Sequence, residues 1–127
     1  MAEAVIDASA LLALLNDEPG AEVVAEALPQ GVISAVNLSE VIAKLCDAGI
    51  PEKAVRQALQ PLGLEVIPFE EEQAYLAGLL RISTQDWGIS LGDRACLGLA
   101  KNLGIYALTA DKAWAELEIG TRIKVIR

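Results

Sequence analysis

Four acids in this chain stand where they could do chemistry together: Asp7, Glu40, Asp93 and Asp111. No histidine occurs anywhere, which removes imidazole catalysis, Ser-His-Asp and Cys-His nucleophile systems and the usual zinc sites. Chemistry then falls to carboxylates, hydroxyls, lysines or a metal. Carboxylates held close together repel one another unless a cation neutralises them. An all-oxygen ligand set without histidine or thiolate selects Mg²⁺ or Mn²⁺ over zinc. One or two such ions can activate a water and offset phosphate charge during in-line displacement, so the group points to metal-dependent hydrolysis of a phosphodiester bond.

Each acid also has a plainer reading. Asp7 follows the apolar run Ala4-Val5-Ile6, and Asp111 follows the Tyr106–Thr109 run after one alanine. Both precede helices, where an aspartate can serve as an ordinary N-cap. Two such acids at strand ends also lie on the edge where parallel sheets bind ligands. Glu40 falls off the apolar stripe Leu38, Val41, Ile42 and Leu45, on a polar face with Asn37 and Lys44; taken alone it is a solvated helix glutamate. Asp93 is harder to set aside. The segment Ser90–Lys101 is apolar or small on almost every side, as in a buried helix, and a carboxylate in such company needs a partner. Ser90 and Asp93 are also spaced for a capping box, a role compatible with cation binding.

The elements that must position these acids alternate in type. Glu3–Ile6, Gly31–Ala35, Leu64–Phe69, Gly104–Thr109 and Arg122–Ile126 read as short strands, the third limited by Pro68. Between them lie helical stretches: Ala8–Asn16, closed by Pro19-Gly20; Ala21–Leu28; Val36–Ala48, ended by Gly49; Pro51 to about Gln60; and an amphipathic Glu70–Ile82 with an acidic first turn. Thr84–Gly88 is a loop before the buried helix. Strands alternating with helices predict one α/β domain over residues 1–127, a mostly parallel sheet of four to five short strands with helices on both faces.

At 127 residues and 54% hydrophobic, the chain can bury a core without disulfides. Cys46 and Cys96 therefore read as small core hydrophobes in a cytosolic protein. No apolar run reaches the ~18 residues of a membrane span, and no secretory signal is visible, so a cytoplasmic location is expected. A net charge of −8 argues against a nucleic-acid binder with a basic stripe, but leaves room for an enzyme that meets RNA through bound cations.

The blocks VIDASALLALL with Asp7, NLSEV with Glu40, GISLGDRACLGLAKNLG with Asp93 and LTAD with Asp111 resemble, in order and spacing, the PIN-domain nucleases, and most closely the VapC-type toxins of toxin–antitoxin pairs. The resemblance covers essentially the whole chain, including AWAEL and the terminal strand. It implies a PIN-like sheet between helices, a Mg²⁺ or Mn²⁺ site among the four acids, endoribonuclease activity on single strands, homodimers, and inhibition by a cognate antitoxin. By the matched motifs Asp7 and Asp93 are the main metal ligands, and Glu40 and Asp111 complete the site. Ser9, Asn37 and Thr109 stand beside these acids as groups that position water or metal. Arg94 and Lys112 are candidate substrate contacts, with an ordinary surface ion pair the alternative for Arg94. Trp87 can stack on a base or pack on the Ser90 helix, and Trp114 can border the substrate groove. Arg122, Lys124 and Arg127 form a basic cluster that can meet RNA or protect an edge strand. Two other classes remain: a PIN fold that binds RNA or protein without catalysis, and a receiver-type phospho-acceptor domain. The latter lacks its paired acids after the first strand and its acceptor aspartate after the third.

Overall fold

A computed structural model describes residues Met1–Arg127. Five strands, β1 (Ala4–Ile6), β2 (Gly31–Ser34), β3 (Glu65–Ile67), β4 (Tyr106–Thr109) and β5 (Ile123–Val125), form one sheet in the order β3-β2-β1-β4-β5. Every neighbouring pair is parallel. The helices are α1 (Ala8–Leu15), α2 (Ala21–Ala27), α3 (Ala35–Asp47), α4 (Glu52–Leu59), α5 (Glu71–Leu79), α6 (Arg81–Thr84) and α7 (Leu91–Leu103). The expected α/β architecture is thus present with all five strands. No helix is long and apolar enough to cross a membrane.

The alternation of side chains along the strands divides the core in two. Ala4, Ile6, Ile33 and Leu108 point to one face, where they meet Ala10, Leu11, Val24, Val41 and Leu45 of the first three helices. Val5, Val32 and Ala107 point to the other, against Cys96, Leu97, Leu99 and Ala100 of α7. Both faces of the central strands are covered, so those strands are continuously apolar. The edge strand β3 is largely exposed and ends before Pro68.

Chain order runs outward from β1 to β2 and β3, then returns to β4 on the other side of β1. The direction of winding therefore reverses between β1 and β4, and the carboxyl ends of strands flanking such a reversal open a crevice. The α7 helix packs against α5 through small residues. A side chain at Gly98 would stand 3.3 Å from the Ala77 backbone nitrogen. Gly104, at φ 68°, closes α7 in the left-handed conformation that lets the chain turn into β4.

Several details depart from the sequence expectations. The Glu70–Ile82 segment is two helices, α5 and α6, separated at Leu80. The inward residues of α5, α6 and the link between them are Ala77, Leu80 and Thr84, the last of these expected in a loop but ending α6, while Tyr75, Leu79 and Ile82 face outward. Ile42 is exposed although it falls within the expected apolar stripe. Cys46 is also exposed, one turn further along α3; only Cys96 is a core thiol. Trp114 is completely buried beside Leu117 and Ile119, so it packs the second core and does not border a groove.

Candidate active site

Asp7 is the first residue after β1 and stands at the N-cap position of α1, yet its side chain caps no backbone N–H. The carboxylate is 4% exposed. Its Oδ2 accepts hydrogen bonds from Ser9 Oγ at 2.5 Å and Thr109 Oγ1 at 2.9 Å. Thr109 ends β4, so this second bond spans the crevice between the two strands where winding reverses. Each hydroxyl spends its one proton on Asp7, and the 3.2 Å Ser9–Thr109 contact is then a close approach of lone pairs. Ser9 Oγ and Thr109 Oγ1 in turn accept from the backbone N–H groups of Ala110 and Asp111. The small network thus holds the β4 exit against Asp7.

Burial lifts the Asp7 pKa from 3.8 to about 6. The two hydroxyl bonds oppose this rise, and repulsion from Asp93 and Glu40 adds to it. Burial also pushes up the Cys96 thiol, which lies in the field of the same three acids. Asp7, Glu40 and Asp93 therefore share one electrostatic neighbourhood. No three of the acidic side chains converge into a ready ligand cage.

Glu40 is carried by α3, which begins at the end of β2 with Ser34 capping Val36 N–H. Asn37, one turn before Glu40, is fully buried. Its Nδ2 donates to Glu40 Oε1 and to the Gly92 carbonyl, each at 2.9 Å. Glu40 is therefore half-buried and held at one oxygen by a buried amide, unlike a free surface glutamate. A shallow groove of about 670 Å³ opens beside it, lined by Ser39, Phe69, Ser90 and Leu91 among others.

The capping reading of Asp93 is realised: Ser90 Oγ accepts from Asp93 N–H at 3.1 Å, and Asp93 Oδ2 accepts from Ser90 N–H at 3.0 Å. Asp93 is half-buried at the start of α7; Ala95–Ala100 lie inside, while Leu91 and Leu103 at the two ends are exposed, so the helix is buried over its middle and not throughout as its composition suggested. Asp111 is exposed; its Oδ1 accepts from Ala113 N–H and caps the 3₁₀ turn Lys112–Glu116. It adjoins Thr109 at the same strand end, but it is absent from the field felt by Asp7.

The residues proposed to meet substrate divide differently. Arg94 makes no ion pair; its Nη1 donates to the Ala77 carbonyl at 2.9 Å and ties α7 to α5. Lys112 and Trp87 are exposed. The basic cluster is spent locally. Arg122 donates to the Gly104 carbonyl, Lys124 lies 6.0 Å from the Tyr106 ring centre, and Arg127 pairs with Glu18 at 3.1 Å. Gly92 was not singled out by sequence reasoning. The available signal was a glycine in the first turn of a helix, directly before an acid.

No curated protein matches the chain in sequence. In solved structures, it resembles a chain of a toxin-antitoxin complex from Klebsiella pneumoniae at TM-score 0.76 and 24% identity, covering 98% of each chain. It resembles a chain of DNA-bound VapBC from Salmonella typhimurium at TM-score 0.78 and 20% identity, over 100% of both. A chain of VapBC-5 from Mycobacterium tuberculosis aligns at TM-score 0.63 and 20% identity, over 100% of this chain and 99% of that one. At these identities the likeness is one of fold. The family model for the PIN domain matches residues 4–120, nearly the whole length, and the chain belongs to the PIN-domain family.

Proposed function

We propose that the chain is a Mg²⁺- or Mn²⁺-dependent endoribonuclease and the toxin half of a toxin–antitoxin pair, acting in the cytoplasm as a homodimer. The observation that carries this reading is Asp7: a buried carboxylate, unused as a cap, raised to about 6 by burial and by two neighbouring acids. A carboxylate so placed is poorly stabilised by protein groups alone, and a divalent cation offsets both its burial and the repulsion. Membership of the PIN family supports nuclease chemistry, and the complexes in which similar chains occur support an antitoxin partner.

The donor set fits a hard cation, being oxygen throughout. Both hydroxyl bonds to Asp7 go to Oδ2, which leaves Oδ1 as the oxygen to offer a cation. Asp93 and Glu40 would complete the ligand set from α7 and α3, and Asp111 would serve from the β4 exit. When bound, the ion would lower the pKa of a water and offset charge on the scissile phosphate. Ser9 and Thr109 orient the Asp7 carboxylate by donating to it. Asn37 fixes one oxygen of Glu40. The groove beside Glu40 would admit a single strand, with exposed Lys112 near the β4 exit available to phosphate. A second groove of about 580 Å³ between α3 and α4, lined by Leu38, Ile42, Val55 and Leu59, offers an apolar seat for a segment of the antitoxin.

The receiver-type alternative has no structural support, because such domains order their strands 2-1-3-4-5 and this sheet runs 3-2-1-4-5. A PIN fold without catalysis is separated by experiment. Purified protein with Mn²⁺ should cleave single-stranded RNA, and EDTA should stop it. Asp7→Asn and Asp93→Asn should each lose about a hundredfold or more, at or beyond the 10–100-fold typical of groups that merely support metal ligands. Full activity in EDTA, or in either variant, would exclude the mechanism.

A further inference from the structure

Glu40 reaches its place because the residue it packs against has no side chain. A Cβ built on Gly92 would have as its three nearest neighbours the carboxyl carbon and both carboxylate oxygens of Glu40, all far inside van der Waals contact. The Glu40 carboxylate thus occupies the space that any other residue at position 92 would fill. Asn37 completes the arrangement. Its two amide protons go to Glu40 Oε1 and to the carbonyl of that same Gly92, each at 2.9 Å.

We propose that Gly92 and Asn37 form a positioning clip that sets the Glu40 carboxylate against the start of α7, in fixed relation to Asp93, as one ligand that an arriving divalent cation can use. The proposal rests on the metal-dependent reading above; it adds Gly92 to that reading and joins it to Asn37 in a role that need not touch the ion. The direction of the amide is unambiguous. A flip of Asn37 would aim its oxygen at two acceptors, so Nδ2 must face Glu40 and Gly92. Its Oδ1 is left buried with no hydrogen-bond partner. A fully buried amide with an orphan acceptor is a net cost to the fold, and glycine is a poorer helix former than alanine. Packing between α3 and α7 alone would be better served by an apolar residue and an alanine. Both unfavourable choices converge on one carboxylate. Without the clip, Glu40 would swing on its free side-chain torsions into the adjoining groove, and the cation would have to reassemble its own site.

A double-mutant cycle separates this role from a merely structural one. Mn²⁺ binding is measured by calorimetry on the metal-free full chain, together with its melting temperature, for the parent and for Gly92→Ala, Asn37→Ala, Glu40→Ala, Glu40→Ala/Gly92→Ala and Glu40→Ala/Asn37→Ala. The expected result is at least tenfold weaker Mn²⁺ binding for Gly92→Ala and Asn37→Ala, and no further weakening by either substitution once Glu40 is alanine. Gly92→Ala should lower the metal-free melting temperature with Glu40 present and raise it with Glu40 removed, because the clash is gone and alanine is the better helix former. If Gly92→Ala fails to fold, recovery of folding in Glu40→Ala/Gly92→Ala supports the clip, and continued failure overturns it. Parent-like Mn²⁺ affinity in Gly92→Ala, or an equal loss in both backgrounds, overturns the clip alone. A parent that binds no Mn²⁺, or an Asp7→Asn variant that binds it as well as the parent, removes the metal reading and the clip with it.

Discussion

Replacing Asp7 with asparagine should make the metal-free protein more stable while destroying its site. The carboxylate is 4% exposed and its pKa is raised to about 6 from 3.8, first by burial. Between those two pH values the unfolded chain has released the proton and the folded chain still holds it, so stability falls as pH rises. The loss is absent below about pH 3.8, grows up to about 6, and is complete above that. At ~1.4 kcal/mol per pH unit, the interval corresponds to about 3 kcal/mol held against the ionised fold at pH 7. Asparagine keeps an oxygen that can accept from Ser9 and Thr109, and carries no charge for Glu40 and Asp93 to repel. Metal-free Asp7→Asn should therefore exceed the parent by up to about 3 kcal/mol at pH 7, a rise in Tm on the order of 10 °C for a chain of this size. At pH 4 the two should nearly coincide. Urea unfolding in EDTA at both pH values measures the gap directly. Excess Mn²⁺ should raise the parent and leave the variant unmoved. A variant no more stable than the parent at pH 7, or a gap that does not close at pH 4, would show that Asp7 is satisfied by its hydroxyl partners and awaits no cation.

The capping box at α7 makes a contrasting prediction. Asp93→Ala should lower metal-free stability by about 1 kcal/mol by urea titration, the size of one hydrogen bond, whereas Asp93→Asn, which can still accept from Ser90 N–H, should keep most of it; equal stability of Asp93→Ala and the parent would refute the cap. The α3–α4 groove predicts that Ile42→Glu weakens capture of the cognate antitoxin in a pull-down by tenfold or more, with RNA cleavage unchanged, since Ile42 lies on the opposite side of the stripe from Glu40; unimpaired capture would place the antitoxin elsewhere.

The layout of the sheet was legible because its signals are local. Ala4-Val5-Ile6 and the Tyr106–Thr109 run are short, apolar and bounded by turns, so they could only be buried strands, and each delivers an aspartate to a carboxyl end. Ser90-x-x-Asp93 announced its own cap. What stayed hidden depends on contacts between distant residues. Ile42 fits the helical stripe of α3, but that helix buries a narrower face, so Val41 and Leu45 go in while Ile42 and Cys46 stay out. Trp114 follows Asp111 so closely that it reads as part of the site, yet the 3₁₀ turn rotates it into the second core. Arg94 adjoins Asp93 in sequence, but one residue along a helix is a large rotation, and it bonds to α5. Asn37 and Gly92, 55 residues apart, acquire their meaning only when α3 and α7 cross.

The four acids do not bear equally on function. Asp111 and Asp93 each complete a helix start, and their hydrogen bonds would justify them in a protein with no chemistry at all. Asp7 has a weaker justification: its two hydroxyl bonds tie it to the β4 exit, but it occupies a cap position without capping, in a site dry enough that burial outweighs those bonds and resists its charge. Glu40 is similar, since it is admitted only through a glycine and a buried asparagine that are themselves poor choices for stability. Local sequence rules fail at functional positions because function is selected there against stability. By that criterion the proposed site centres on the crevice between β1 and β4, with Asp7 on one wall and Glu40 brought in from α3. The caps then have a second consequence: they fix the start of α7 and the exit of β4, and so hold Asp93 and Asp111 in place independently of Asp7 and Glu40.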